Sequence, residues 1–175
     1  VKRMLAFSGI SHAGFMLMTL LNISNSAGNL LYYTSAYSLS GIAAFAVILY
    51  VCKNKDNEDI ANFNGLGKNN PLMAAVLTAS LLSMAGIPIF AGFFAKMFLF
   101  TQTIAAGYLV VVIAAVINSI ISVGYYFKLI LAMYNKEPNE EATKTPFVFY
   151  AVAVVSILLN IVLGLFPSAV LDLLG

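Results

Sequence analysis

Residues 84–101 read Met84-Ala85-Gly86-Ile87-Pro88-Ile89-Phe90-Ala91-Gly92-Phe93-Phe94-Ala95-Lys96-Met97-Phe98-Leu99-Phe100-Thr101. Here Lys96 stands inside an apolar run that Gly86, Pro88 and Gly92 have already interrupted. A charge in hydrocarbon costs several kcal/mol, so ionisable residues inside spans are rare and mostly functional. Proline and glycine at mid-span free backbone groups that need partners, which is tolerated only beside protein or a hydrated cavity. Together these features predict a discontinuous membrane helix in a protein that moves ions.

Composition fixes the class. Of 175 residues, 61% are hydrophobic and 9% charged, with a mean hydropathy of +0.93. Soluble domains carry about 25% charged residues, so this is an integral membrane protein of the all-α kind. Cys52 is the one cysteine and His12 the one histidine, which leaves no internal disulfide and no His/Cys metal set. Nothing in the chain reads as a phosphate loop, a dinucleotide fingerprint or a nucleophile triad, so no redox centre or cofactor is expected on it. A net charge of +2 gives no reason to expect nucleic acid. The chain opens at Val1 with Lys2-Arg3 against a span and no signal peptide ahead of it. It is read as the C-terminal part of a longer polytopic protein, with residues 1–175 as a single transmembrane domain.

Working outward from the break, five apolar stretches are expected, at about 4–22, 30–52, 71–102, 106–134 and 146–167. A helix needs about 20 residues to cross about 30 Å of hydrocarbon. The third stretch would reach about 45 Å as one straight helix, and an interruption between Gly86 and Gly92 removes the excess. Five crossings put the N-terminus and the 53–70 and 135–145 loops on one side. Lys2, Arg3, Lys53, Lys55, Lys68, Lys136 and Lys144 fall there, with Lys128 near the inner end of the fourth stretch. The opposite loops, 23–29 and 103–105, carry no basic residue. The positive-inside rule makes the lysine-bearing side cytoplasmic and places the C-terminus in the periplasm. Asp56, Glu58 and Asp59, and likewise Glu137, Glu140 and Glu141 with Pro138, read as solvated turns.

Lys96 is the ninth basic residue. Two readings stand: it snorkels to the outer interface, or an unwound 86–92 segment holds it deep, where a lysine can take and release a proton. Helical phase places Ser8, Ser11, His12 and Thr19 on one face of the first span. Thr34, Ser38 and Gly41 form a second stripe, and Asn118, Ser122 and Tyr125 a third. Such stripes pack membrane helices together. They also line proton routes, for which His12 is the side chain best suited near neutral pH. The candidate set is therefore Lys96 and His12 as proton carriers, with Ser8, Ser11, Asn118 and Ser122 in support. Tyr32, Tyr33 and Tyr108, close to expected span ends, read as an interfacial aromatic belt. Lys128 reads as a snorkelling residue.

Two segments carry a family resemblance. Val1-Lys2-Arg3-Met4-Leu5-Ala6-Phe7-Ser8-Gly9-Ile10-Ser11-His12-Ala13-Gly14 and Ser83–Phe100 are similar to two segments, the second of them the broken helix, of the antiporter-like subunits of respiratory complex I, the bacterial NADH:quinone oxidoreductase. Within that family the second segment is most like subunit N, because the sister subunit M has glutamate where Lys96 stands. Phe7 and Gly9 depart from the family's tyrosine and serine. The resemblance implies the last five helices of a fourteen-helix antiporter-like fold. It makes Lys96 the proton-carrying lysine of the broken helix and sets His12 on the same hydrophilic axis. It further implies a translocase subunit in the bacterial inner membrane, beside other membrane subunits of complex I, neighbouring antiporter-like ones included. NADH and quinone would react elsewhere in that assembly. A subunit of a multi-subunit sodium/proton antiporter and a structural membrane module without transport are the competing readings.

Overall fold

A computed structural model describes residues 1–21, 26–137 and 146–168. Helix α1 (Lys2–Leu17) runs into a 3-10 turn (Met18–Leu21), and α2 follows (Ser26–Val51). A second 3-10 turn (Ile60–Phe63) and the short α3 (Leu66–Asn69) lie in the next connection. Then come α4 (Pro71–Ala85), α5 (Ala91–Ala105), α6 (Leu109–Asn135) and α7 (Phe147–Leu165). The described residues contain no strand. Segments Lys2–Leu21, Ala27–Val51, Leu109–Asn135 and Phe147–Leu165 are each long and apolar enough to cross a membrane. Helices α4 and α5 have 15 residues each, about 22 Å of rise apiece, so only the two end to end reach across. The five expected crossings are four continuous helices and one made of two halves. Residues Lys144, Glu140, Glu141 and Pro138 and part of the 23–29 loop lie outside the described residues.

The chain signals each end of the two half-helices. Asn70 accepts a hydrogen bond from the Met73 amide at 3.3 Å, and Pro71 occupies the first helical position of α4, where a missing N–H costs nothing. At the other end Gly86 takes a left-handed conformation, φ +88°. The Ile87 amide then closes on the Leu82 carbonyl, and Gly86 on Ser83, which is the Schellman ending of a helix. Pro88 bars any continuation. Ile89 has φ +92°, a conformation that is strained for a β-branched residue. Phe90 is extended, and α5 begins at Ala91.

Buried apolar side chains form two groups, one toward each end of the bundle. One includes Leu5, Ala43, Val47, Leu77, Leu81, Tyr126, Leu129 and Ile157. The other includes Phe15, Tyr32, Tyr33, Ala36, Ala95, Leu99 and Ala115. Along the helices Ser8 and His12 on α1, Ser40 on α2, Ser122 on α6 and Asn160 on α7 are buried polar residues that fall between the two groups, while Ser80 and Ser156 lie within the first group and Lys96 within the second. Polar side chains thus gather between two largely apolar groups. Outward faces carry Phe7 and Ile10 of α1, Ile113, Ile117 and Ile120 of α6, and Val155, Leu158 and Val162 of α7, all exposed, as a membrane protein requires. On the side of the basic loops, Lys2 pairs with Glu58 at 2.5 Å and Lys68 with Glu137 at 2.6 Å. The bond from Lys2 holds the Glu58 carboxyl below the usual carboxylate range. Both pairs are exposed enough that they position loops more than they stabilise the fold.

Three expectations need correction. Gly92 is not part of the break: it lies in the first turn of α5, and a Cβ there would run into the Ser83 carbonyl oxygen. It is small because two backbones touch. Tyr32 and Tyr33 are not an interfacial belt. Helix α2 begins at Ser26, nearly two turns before them, so both rings are buried; Tyr108, between α5 and α6, remains exposed. Thr34 and Ser38 face outward, and the internal contacts of α2 use Ala36, Ser40, Ala43 and Ala44 instead.

Gly164 repeats the Gly92 arrangement, with its Cα against the backbone of Ile89, Phe90 and Ala91. Gly14 and Gly124 have open space around them. Gly92→Ala and Gly164→Ala should each destabilise the protein by about 1–3 kcal/mol through overpacking. Gly14→Ala and Gly124→Ala should be neutral or slightly stabilising. Unfolding in detergent, followed by circular dichroism, separates the two pairs.

Candidate functional site

Lys96 is in the second turn of α5 and only 7% exposed. Its Nζ donates to the Ala85 carbonyl at 3.0 Å and to Ser119 Oγ at 3.3 Å. Ala85 is the last residue of α4, where carbonyls lack helical partners and the helix dipole presents its negative end. The break therefore builds the lysine's site. Gly86 contributes twice, by turning the chain and by leaving room: a Cβ on it would stand 3.1 Å from Lys96 Cδ. The Phe15 ring completes the surroundings, with Nζ 5.2 Å from its centroid, within cation–π range. Lys2 and Lys68 form ion pairs, whereas among the described residues no carboxylate pairs with Lys96.

His12 is buried on α1. Its Nδ1 lies 2.8 Å from the Tyr33 hydroxyl. The imidazole stacks on Tyr37 at 4.3 Å and meets Phe15 edge-on at 5.8 Å. Beside it is a cavity of about 10 Å³ lined by His12, Tyr33, Tyr37, Ser40, Ser83 and Gly92, among others. That is room for about one water. Beyond the cavity, Asn160 ties three helices together. Its Nδ2 donates to the Ala36 carbonyl at 2.9 Å and to Ser40 Oγ at 3.0 Å, and its Oδ1 accepts from Ser83 Oγ at 3.0 Å. Ser83 Oγ in turn accepts from the Gly92 amide at 3.4 Å. The far end of α4 and the start of α5 are thereby pinned to α2 and α7.

The structure brings Lys96 and His12 to the same ring, Phe15, without a hydrogen bond between them. The four supporting candidates lie along the α1–α6 seam. Ser11 Oγ donates to Asn118 Oδ1 at 3.5 Å, the Ser8 and Tyr126 hydroxyls hydrogen-bond, and Ser122 Oγ accepts from Tyr125 at 3.0 Å while donating to the Asn118 carbonyl. None of the four bonds to Lys96 or His12. Ser119, one position beyond Asn118, does that for the lysine. Tyr33, Ser83, Ser119 and Asn160 are the residues that sequence reasoning missed. A signal for Asn160 was present: it is the one amide side chain in the apolar run of α7. Chemically, the site offers two groups able to carry a proton, with hydroxyls, an amide and space for water around them.

Residues 1–122 match the family described as NADH:quinone oxidoreductase/Mrp antiporter, transmembrane. This chain belongs to that family. It is 79% identical over its full length to NADH-quinone oxidoreductase subunit N of Flavobacterium johnsoniae. It is 62% identical over 99% of its length to the protein of the same name from Flavobacterium psychrophilum. The chain spans 38% of the length of each of these curated relatives. Among solved structures, a chain of respiratory complex I from Thermus thermophilus with bound aureothin superposes with a TM-score of 0.88 at 33% identity, over 98% of this chain and 39% of that one. A chain of the Mrp complex from a Dietzia species reaches 0.85 at 23% identity, over 97% and 40%, which establishes a shared fold.

Asn160 makes three hydrogen bonds in the interior, and such bonds average about 0.6 kcal/mol within membrane proteins. Asn160→Ala should therefore lower stability by about 2 kcal/mol, and Ser40→Ala by less. Additivity in a double-mutant cycle between Asn160 and Ser83, with each measured by unfolding in bicelles, would mean that the junction does not act as a unit.

Proposed function

We propose that this chain supplies part of the proton path of a bacterial NADH-quinone oxidoreductase, as one membrane subunit of a translocase. NADH oxidation and quinone reduction occur elsewhere in that assembly. The reading rests on one observation above the others: a buried lysine, without a carboxylate partner, is held by the carbonyl that the broken helix leaves free. A structural cation would be neutralised by an acid. A group that must gain and lose a proton is served better by carbonyl, hydroxyl and ring contacts, which support the ammonium without fixing it. Lys96 holds the proton and His12 exchanges it, with the hydroxyls of Tyr33, Ser40 and Ser83 and a water in the cavity beside His12 as relays on the histidine side. The high identity to proteins named NADH-quinone oxidoreductase subunit N favours this branch of the family over the cation/proton antiporter branch. The partners are then the other membrane subunits of that complex, neighbouring antiporter-like subunits among them, and the lipid of the inner membrane.

Lys96→Ala removes the carrier. Lys96→Arg keeps a charge that does not leave, because guanidinium stays protonated. Both should depress NADH-driven proton pumping by the reconstituted complex by about tenfold or more, with electron transfer falling alongside where coupling is tight. Wild-type pumping in Lys96→Arg would make the residue a fixed electrostatic anchor, and wild-type pumping in Lys96→Ala would leave a structural module. Sodium-dependent transport without NADH dehydrogenase activity would point to the antiporter branch.

The basic loops should face the cytoplasm and the C-terminus the periplasm. In a Cys52→Ser background, single cysteines at Asn57 and at Gly175 should label from opposite sides with an impermeant maleimide. Labelling from the same side would contradict the five-crossing topology.

A further inference from the structure

Among the described residues, Phe15 is the ring that meets both proton-carrying candidates. It stands three residues after His12, one turn along the same face of α1, and is only 3% exposed. Lys96 Nζ is 5.2 Å from its centroid, and the His12 imidazole meets it at 5.8 Å and 83°. Phe100, one turn beyond Lys96 on α5, meets it at 6.1 Å and 67°, and Tyr33 at 6.4 Å. No polar atom of the ring can pass a proton. Lys96 and His12 therefore exchange one only when water bridges them or when the ring turns aside.

We infer that Phe15 is a positioning residue that gates proton exchange between His12 and Lys96, and that the charge on Lys96 sets the gate. This rests on the proton-path reading above. A protonated Lys96 attracts the negative face of the ring, which keeps an apolar surface beside the nitrogen and water away from it, as hydrophobic constrictions do in channels. Once Lys96 gives up its proton, that attraction is gone and the ring is held by packing alone. It can then swing toward Phe100, and a water enters between amine and imidazole. In the exchange that follows, an N–H bond of the imidazolium breaks, its proton passes through the water, and a new N–H bond forms on the lone pair of Lys96 Nζ. His12 ends neutral and Lys96 charged, and the ring is drawn back. A loaded lysine is thereby cut off from the site that loaded it.

The test uses the intact complex in proteoliposomes, with Phe15→Leu, Phe15→Tyr and Phe15→Ala beside Lys96→Ala. Two quantities are read: protons pumped per electron with NADH, and proton leak under an imposed pH gradient without NADH. Phe15→Leu keeps an apolar plug and removes the π face, so leak should stay at the wild-type level while pumping falls about fivefold, the rate equivalent of a modest cation–π contact. Phe15→Tyr keeps the face and should pump nearly like wild type. Phe15→Ala opens the constriction and should raise leak or lower the ratio of protons to electrons. Should Phe15→Ala fail to assemble, Phe15→Leu still decides. Wild-type pumping in Phe15→Leu, with Lys96→Ala inactive, overturns the gate and leaves the proton path standing. Wild-type pumping in Lys96→Ala overturns the proton path, and the gate with it.

Discussion

A helix that stops inside a membrane leaves carbonyl groups without partners in a medium that offers none. The end of α4 answers this with Lys96, whose ammonium reaches back across the break to the Ala85 carbonyl. Much of the surrounding structure follows from that bond. The left-handed turn at Gly86 aims the carbonyl and clears space for the lysine's stem. The contact of Gly92 with Ser83 brings α5 close enough for the side chain to reach. Asn160 keeps the two half-helices from drifting apart by fastening Ser83 to α2. A feature that would destabilise an ordinary membrane helix is here the means of seating a cation.

The architecture was legible because it is written in composition and length. Four continuous crossings follow from apolar runs of sufficient extent, and the broken one from a stretch too long to be straight that contains Gly86 and Pro88. Lys96 and His12 stood out because ionisable residues are scarce in spans. What stayed hidden depended on the third dimension. Asn118 and Ser119 are adjacent in sequence but differ by 100° in phase, and the side chain that meets Lys96 is decided by how α5 leans on α6. Tyr33 looked interfacial only because α2 was expected to begin at residue 30. Its true start at Ser26 moves the tyrosine inward to His12. Gly92 carried the composition of a helix breaker and the role of a spacer, a distinction made by a neighbouring backbone that no local pattern reveals.

The site also shows how the supporting polar residues divide. Ser8, Ser11, Asn118 and Ser122 bind α1 to α6, while Ser40, Ser83 and Asn160 bind α2, α4 and α7. His12 and Lys96 lie where these two sets of hydrogen bonds approach each other across Phe15. Polar side chains that in other membrane bundles would serve only as adhesive here keep two titratable groups at fixed separation.

The gathering of polar side chains between two largely apolar groups has an electrical meaning. Two apolar slabs with a polarisable sheet between them behave as capacitors in series, so a membrane voltage falls mainly across the slabs and little within the sheet. Carrying one elementary charge across the full membrane involves about 2.3 kcal/mol per 100 mV. His12 belongs to the sheet, whereas Lys96 sits among Phe15, Ala95 and Leu99 of one apolar group, so a proton passing from His12 to Lys96 steps from the sheet into the edge of a slab. That step would then sense a share of the membrane voltage, while movement among the hydroxyls around His12 would sense little.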